Sequence, residues 1–311
     1  MAKSKYLSGA VYRLGENRVR ITDVVGYEER LAKLKIALGQ RELENCCFFT
    51  TGNVYQLVYS AIAETIRISG MSPRVVDCIV ICSSHFSDSF NFRNRNLATA
   101  IIKNGLSPRL IQGVSGAGCV DLVRGIEMAC SYLELERYQN ILIVGVESLC
   151  EASHVDRIVE YACISDSAVS CVVSTSLGES SISKPLRIVA EVNETLWPRV
   201  GGGMPINETS AYAQCIFDAL NAGAVGLSRV AKVFGNNIFS PIKKARETCA
   251  GIRKEQMYFE NARRVGHCLS CDTIMNLVDY GIGGGGEYFV LFAEAEGHSG
   301  AILLRELVEF P

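Results

Sequence analysis

Short apolar runs alternate with amphipathic helical patterns along the chain, and this alternation restricts the possible folds more than any other feature. Uninterrupted apolar runs are typical of central strands that are covered on both faces. Six such runs predict strands at 75–82, 140–146, 168–173, 187–192, 288–293 and 301–304. Apolar residues spaced three or four apart predict helices at 53–69, 120–134 and 211–227. This order of elements indicates an α/β fold.

The two parts of the chain show a weak internal similarity. Each contains an amphipathic helix (53–69 and 211–227), then a strand, then a loop rich in small polar residues. A polar, turn-forming stretch at 177–185 separates the two parts. We therefore predict two similar α/β halves, residues 1–176 and 177–311.

Composition excludes several classes of protein. The chain has 311 residues, of which 48% are hydrophobic, so it can bury a large core. Its 31 basic and 33 acidic residues argue against a dedicated nucleic-acid binder, which normally has a basic surplus. No apolar run reaches the roughly 18 residues that a membrane span needs, and the first 15 residues hold no apolar stretch long enough for a secretory signal. We expect a cytoplasmic protein with neither membrane nor nucleic acid as a partner.

The thirteen cysteines are expected to be free thiols, most of them packed as small apolar side chains. Cys46 and Cys47 are adjacent and have no evident partner in the sequence. Cys268 and Cys271 form a C-x-x-C motif without a second ligand pair at zinc-site spacing. We therefore predict two buried cysteines there and no bound metal.

The segment 113–121, Gly-Val-Ser-Gly-Ala-Gly-Cys-Val-Asp, contains a candidate nucleophile. Cys119 follows a cluster of tiny residues and lies at the start of the predicted helix 120–134. The first N–H groups of a helix have no intrahelical acceptors and favour negative charge. They therefore favour a reactive thiolate and can donate to an oxyanion. A buried structural cysteine beside small packing residues is the alternative.

The segment 113–119, the helix after it and the strand within 138–149 resemble the β-ketoacyl-acyl carrier protein synthase III family of the thiolase fold. The segments 70–81, 164–169 and 296–301 are similar to further elements of that family, so the resemblance covers nearly the whole chain. It implies a thiolase-like fold of two similar halves in α-β-α-β-α layers. It also implies that Cys119 forms an acyl-cysteine intermediate, and that the protein is a homodimer with strands paired across the interface.

The chain differs from this family at two other positions of the expected active site. The family has a His in a His-Gln-Ala-Asn-like motif, but the matching position here is Gly235, or Phe234 with a shift of one residue. Asn236 and Asn237 are the polar residues nearby, and their amides could donate to the acyl oxygen in place of that His. The family's later Asn is replaced by His267, which is therefore the expected base. A residue that caps the following helix is the alternative for His267.

The resemblance also implies substrate contacts. The N–H of Gly297 is expected as a second oxyanion donor, His85 lies on the loop that borders the acyl pocket, and Arg41 matches the family's coenzyme A-binding arginine loosely. No cofactor or metal is implied. The substrate is a thioester of coenzyme A or of a phosphopantetheine-bearing acyl carrier protein.

The departures leave more than one function open. Loss of one oxyanion donor can lower a condensation rate roughly 100- to 1000-fold, whereas acyl transfer to an amine or hydroxyl needs only nucleophile, base and oxyanion hole. We predict an acyltransferase or condensing enzyme with a carbon, amine or hydroxyl acceptor, acting in fatty acid, polyketide or other specialised metabolite biosynthesis. The alternative is a weakly active or silent partner subunit of a heteromeric ketosynthase.

Overall fold

The structure is a computed structural model that describes residues 3–34, 46–50, 54–84, 95–149, 152–178, 181–195, 208–283, 285–295 and 297–308. Arg41 and His85 lie outside the described residues. The described ranges contain thirteen strands and eight α-helices. The strands are β1 Lys5–Leu14, β2 Asn17–Arg20, β3 Cys46–Phe49, β4 Cys78–Cys82, β5 Leu110–Val114, β6 Asn140–Glu147, β7 Ile158–Val159, β8 Ala162–Cys163, β9 Ser167–Ser174, β10 Leu186–Thr195, β11 Val230–Phe234, β12 Tyr288–Ala295 and β13 His298–Glu306. The helices are α1 Tyr27–Lys33, α2 Tyr55–Ser69, α3 Arg95–Lys103, α4 Asp121–Glu134, α5 Glu208–Ala222, α6 Ser240–Cys249, α7 Glu260–Arg264 and α8 Asp272–Tyr280.

Each of the six apolar runs overlaps a strand (β4, β6, β9, β10, β12 and β13), and the three predicted helices correspond to α2, α4 and α5. Two of the boundary differences have a clear local cause. Strand β4 begins three residues late, because Pro73–Val75 forms a 3-10 turn that the Ser72 side chain caps. Helix α5 ends at Ala222 rather than at 227, because Ala224 takes a left-handed φ of 52° and reverses the chain.

One mixed sheet joins nine strands of the described ranges in the order β11-β12-β13-β10-β1-β9-β6-β4-β5. The pairing pattern repeats on both sides of the antiparallel β1–β10 pair. The series β1-β9-β6-β4 and β10-β13-β12-β11 each contain two antiparallel pairs and then a parallel pair. The predicted boundary between residues 176 and 177 lies between β9 and β10. The division of the chain into two separate halves stays a prediction.

Helices cover both faces of the sheet, which explains why its central strands are apolar throughout. Along β6, Ile141 and Ile143 belong to the apolar cluster that contains α4 and α8, whereas Leu142 and Val144 belong to the cluster that contains α2. Because successive side chains of a strand point to opposite faces, both sets are buried. None of the helices in the described ranges is both long and apolar enough to span a bilayer.

Candidate active site

Cys119 lies in a 3-10 turn, Gly118–Val120, between the end of β5 and the start of α4. The chain reaches this turn through Gly116 and Gly118, which have φ values of 99° and 58° that favour glycine. The N–H of Ala117 donates to Oδ1 of Asp121 at 2.9 Å, which fixes the turn against the first residue of α4. The glycines before Cys119 therefore allow the sharp turn that leads to it. Cys119 itself is 9% exposed.

His267 faces this thiol from the other part of the chain. Its Nε2 lies 3.3 Å from Sγ of Cys119, and its side chain is buried. The backbone holds it in place, because the His267 N–H donates to the Cys163 carbonyl at 2.7 Å and the Ser165 N–H donates to the His267 carbonyl at 2.9 Å. The end of β8 therefore positions the imidazole beside the nucleophile predicted from the sequence.

Asp272 completes a row of three side chains. Its Oδ2 lies 2.5 Å from Nδ1 of His267, on the side of the ring away from Cys119. Its Oδ1 accepts the N–H of Cys268 at 2.7 Å. The sequence alone does not indicate Asp272, because an acidic residue in the first turn of a helix is common on electrostatic grounds. Its position five residues after His267 is the signal that could identify it. The order Cys, His, Asp is that of a nucleophile, a base and the group that orients the base.

The electrostatics of this row favour a charged imidazole. Burial lowers the pKa of His267, but the electrostatic interactions and hydrogen bonds of its cation with Asp272 and Cys119 outweigh burial and hold that pKa well above 6.5. An imidazolium beside a thiol in turn favours the thiolate, which is the reactive form of cysteine. The arrangement can therefore support an ion pair between sulfur and imidazole.

Asn237 contacts Asp272 rather than the thiol. Its backbone N–H donates to Oδ2 of Asp272 at 2.6 Å, and its Nδ2 donates to Oδ1 at 3.0 Å. Its Oδ1 accepts from Asn276 at 2.9 Å. The Nδ2 of Asn236 donates to the Glu294 carbonyl at 2.9 Å. In the structure, Asn237 therefore supports the Asp272 carboxylate. A role of either amide as donor to an acyl oxygen stays a prediction.

Neither candidate position for the family's His lies open to a substrate. Phe234 is buried in an aromatic cluster, with ring centroids 5.6 Å from Tyr258 and 5.9 Å from Phe289. At Gly235, an added Cβ would lie 3.3 Å from Oε1 of Glu247 and 3.5 Å from Nζ of Lys243. A side chain at position 235 would therefore point toward the charged groups of Lys243 and Glu247 on α6.

The hairpin between β12 and β13 borders the nucleophile. Gly297, in its turn, has a φ of 73°, and Ala295 packs against the apolar cluster of Cys119. A Cβ at Gly118 would lie 3.0 Å from the Cβ of Ala295. The role of Gly297 as an oxyanion donor stays a prediction.

The surroundings of the thiol are apolar. Cys119, Ile164 and Leu269 form one buried cluster, which the side chains of Leu149, Val159 and Ala295 extend. On the side of the imidazole, the Tyr161 ring lies edge-on with a centroid distance of 6.1 Å. Apolar side chains around a few convergent polar groups are typical of a site that binds a largely apolar ligand.

The bonding state of two cysteines differs from the prediction. Cys47 and Cys163 form a disulfide between β3 and β8, with 6.4 Å between their Cα atoms, so these two are not free thiols as predicted. This pairing is not predictable from local sequence, because 116 positions separate the two residues. Cys268 and Cys271 are buried free thiols, and burial raises the pKa of both. Among the described residues, no group of three or more His, Cys, Asp or Glu could hold a metal ion.

Comparisons with known proteins identify the fold. By sequence, no protein-family model and no curated protein matches the chain. Among solved structures, ChlB3, described as an acyltransferase, superimposes with a TM-score of 0.77 at 15% identity over 98% of both chains. The 3-oxoacyl-(acyl carrier protein) synthase III of Pseudomonas aeruginosa PAO1 has a TM-score of 0.73 at 16% identity, covering 99% of this chain and 100% of its own. A variant of OleA from Xanthomonas campestris has a TM-score of 0.78 at 12% identity, covering 97% and 98%. The resemblance read from the sequence is thus confirmed for the fold: the chain has the thiolase-like α/β fold of the synthase III enzymes.

Proposed function

We propose that the protein is an acyl-thioester transferase that carries the acyl group on Cys119. The observation that carries the proposal is the continuous row formed by the Cys119 thiol, the His267 imidazole and the Asp272 carboxylate, with distances of 3.3 Å and 2.5 Å. The nucleophile of this row lies in an apolar cluster, directly before helix α4. The substrate is an acyl thioester of coenzyme A or of an acyl carrier protein.

The first half of the reaction forms the acyl-enzyme. The Cys119 thiolate attacks the thioester carbonyl, and the oxyanion of the tetrahedral intermediate accepts from the N–H groups of Cys119 and Gly297. As the carbon–sulfur bond to the pantetheine breaks, His267 gives its proton to the leaving thiolate. Cys119 then carries the acyl group, and His267 is neutral.

In the second half, neutral His267 takes a proton from the acceptor. The acceptor then attacks the acyl-cysteine, the bond to Sγ breaks, and the thiolate–imidazolium pair forms again. Asp272 holds the Nδ1 proton throughout, so that Nε2 faces both the sulfur and the acceptor.

The side chains at the site favour one class of acceptor. Phe234 and Gly235 provide no imidazole where a decarboxylating synthase of this family has its His. His267, by contrast, has the carboxylate support of a general base. We therefore assign the acceptor as an amine or a hydroxyl, with transfer to a carbon acceptor as the competing outcome.

A homodimer in the cytoplasm is part of this proposal. Within the described ranges, β5 pairs with β4 and forms one edge of the large sheet. An edge strand presents N–H and C=O groups that a second chain can pair with. Ile111 of β5 is 41% exposed, which suits burial against an identical strand.

The decisive experiment is intact-mass measurement after incubation with acyl-coenzyme A and acyl carrier protein donors. We expect a mass gain of one acyl group that is lost in Cys119→Ala and kept in Cys249→Ala, because Cys249 is an exposed free cysteine outside the site. The acyl-enzyme is then incubated with amines, alcohols or a malonyl thioester, and loss of the adduct identifies the acceptor. Absence of any adduct would overturn the proposal and favour a silent subunit of a heteromeric ketosynthase.

A further inference from the structure

Leu269 has an unusual backbone conformation within the candidate site. Its φ is 52°, in the left-handed region, and it lies in the chain between His267 and Asp272. A leucine in this region is disfavoured because its Cβ approaches the following carbonyl, whereas glycine adopts it readily. The leucine side chain therefore destabilises the left-handed backbone conformation at this position.

Two hydrogen bonds of the site span this turn. The N–H of Cys268 donates to Oδ1 of Asp272 at 2.7 Å, and the N–H of Cys271 donates to the Cys268 carbonyl at 3.0 Å. Leu269 thus lies between Cys268 and Asp272, which this network joins, at the first residue of the 3-10 turn Leu269–Cys271. Backbone strain of this kind persists where the surroundings determine the conformation, and it is frequent at active sites.

The side chain of Leu269 packs at the nucleophile. It is 7% exposed and belongs to the same buried cluster as Cys119 and Ile164. The neighbouring residue Ser270 points elsewhere, because its hydroxyl donates to Glu147. An acyl group on Sγ of Cys119 must therefore share its space with the Leu269 side chain.

We infer that Leu269 determines the acyl specificity of the site, because its side chain forms a wall beside the Cys119 thiol and restricts the enzyme to short acyl groups. This inference rests on the proposed acyl-cysteine chemistry. The benefit of selectivity explains why a leucine occupies a position where glycine would avoid the strain.

The test compares wild type with Leu269→Ala and Leu269→Gly. Each protein is incubated separately with acetyl-, butyryl-, hexanoyl-, octanoyl- and decanoyl-coenzyme A, and the rate of Cys119 acylation is measured by intact mass. We expect the ratio of the decanoyl rate to the acetyl rate to rise about tenfold or more in both variants, since one methylene in an apolar pocket already changes discrimination by about tenfold or more. Leu269→Gly guards against misfolding, because glycine suits the left-handed turn.

Leu277→Ala is the matched control, because Leu277 is a buried leucine of α8 in the main core and outside the Cys119 cluster. Its chain-length profile should equal that of wild type. If wild type is acylated but either folded Leu269 variant keeps the wild-type profile, the inference is wrong while the proposed function stands. If no donor acylates wild type, both are overturned.

Discussion

Nδ1 of His267 lies 2.5 Å from Oδ2 of Asp272, and both side chains are buried. Since a carboxylate accepts from this position, the proton of a neutral imidazole stays on Nδ1 and Nε2 faces Cys119. The carboxylate is itself held by the N–H groups of Cys268 and Asn237. The orientation of the base therefore depends on a hydrogen-bond network rather than on one contact.

We expect Asp272→Asn to reduce the acyl-transfer rate by about 10²- to 10⁴-fold, because an amide can stabilise the wrong tautomer of His267 and cannot stabilise its cation. The measurement is the rate of single-turnover acylation followed by transfer. Asp279→Asn is the control, since Asp279 lies on the same helix and contacts Arg264 and Asn261 instead. Equal losses in both variants would show that the effect is general destabilisation.

His267→Ala should make Cys119 less reactive. The raised pKa of His267 keeps its cation beside the sulfur at neutral pH, whereas an ordinary thiol with a pKa of about 8.5 is mostly protonated there. We expect the rate of iodoacetamide labelling of Cys119 at pH 7 to drop by about tenfold or more, as followed by peptide mass spectrometry. The exposed Cys249 provides the reference rate in the same sample. An unchanged rate at Cys119 would contradict the ion pair.

The strands and principal helices can be predicted from the sequence because local patterns determine them. Residues such as Ile143 and Leu142 are apolar on both faces of β6, and this pattern is visible without coordinates. The end of α5 is harder to predict from the sequence, because it depends on the left-handed conformation of Ala224. An alanine gives no local signal for such a reversal.

The site is predictable only in part, because its members come from distant segments. Cys119 and His267 can be found from the resemblance, since Cys119 matches the family's nucleophile motif and His267 occupies the position of the family's later Asn. The role of Asp272 is not evident from the sequence, because an acidic residue is common in the first turn of a helix. The pairing of Cys47 with Cys163 is not evident either, because it depends on a long-range contact that no local pattern encodes. The position of Asn237 beside Asp272 has the same origin.

Asn237→Ala should impair catalysis more than Asn236→Ala does. Removal of the Asn237 side chain takes one donor from the Asp272 carboxylate, and we expect a loss of about tenfold in the acyl-transfer rate, in line with the roughly 1–3 kcal/mol of a hydrogen bond to a charged group. Asn236 contacts the Glu294 carbonyl, so its removal should leave the pH profile of transfer unchanged. If Asn236→Ala proves to be the more damaging substitution, Asn236 is the better candidate for a donor to the acyl oxygen.

The disulfide between Cys47 and Cys163 should stabilise the fold. A cross-link over such a long loop typically contributes about 2–5 kcal/mol, so Cys163→Ser or treatment with dithiothreitol should lower the free energy of unfolding by this amount in denaturant titrations. Cys249→Ser serves as the control, because Cys249 is exposed and free. Iodoacetamide labelling of both Cys47 and Cys163 in the unfolded, unreduced protein would show that the bond is absent in solution.

Glu147 should make the stability depend on pH. Its buried carboxylate accepts from the N–H and hydroxyl of Ser84 at 2.9 and 2.6 Å and from the Ser270 hydroxyl. Its pKa is raised to about 7, chiefly by burial and also by the charge of nearby Asp121, against the lowering effect of the hydrogen bonds from Ser270 and Ser84. The thiols of Cys82 and Cys271 also lie within electrostatic range of this carboxylate. In the unfolded chain a glutamate has a pKa of about 4.3, so between these values the folded state binds a proton that the unfolded state has released.

The sign follows from this difference in proton binding: the contribution of Glu147 to stability is full below pH 4 and is lost as the pH rises through about 7. We expect the free energy of unfolding of wild type to fall between pH 5 and pH 8 by roughly 1–3 kcal/mol more than that of Glu147→Gln, which cannot titrate. The contribution of His267 has the same sign but is present in both proteins, so it cancels in the comparison. Glu64→Gln is the control, since Glu64 is a surface residue that pairs with Arg67. Identical pH dependence in wild type and Glu147→Gln would mean that Glu147 keeps one protonation state over this range.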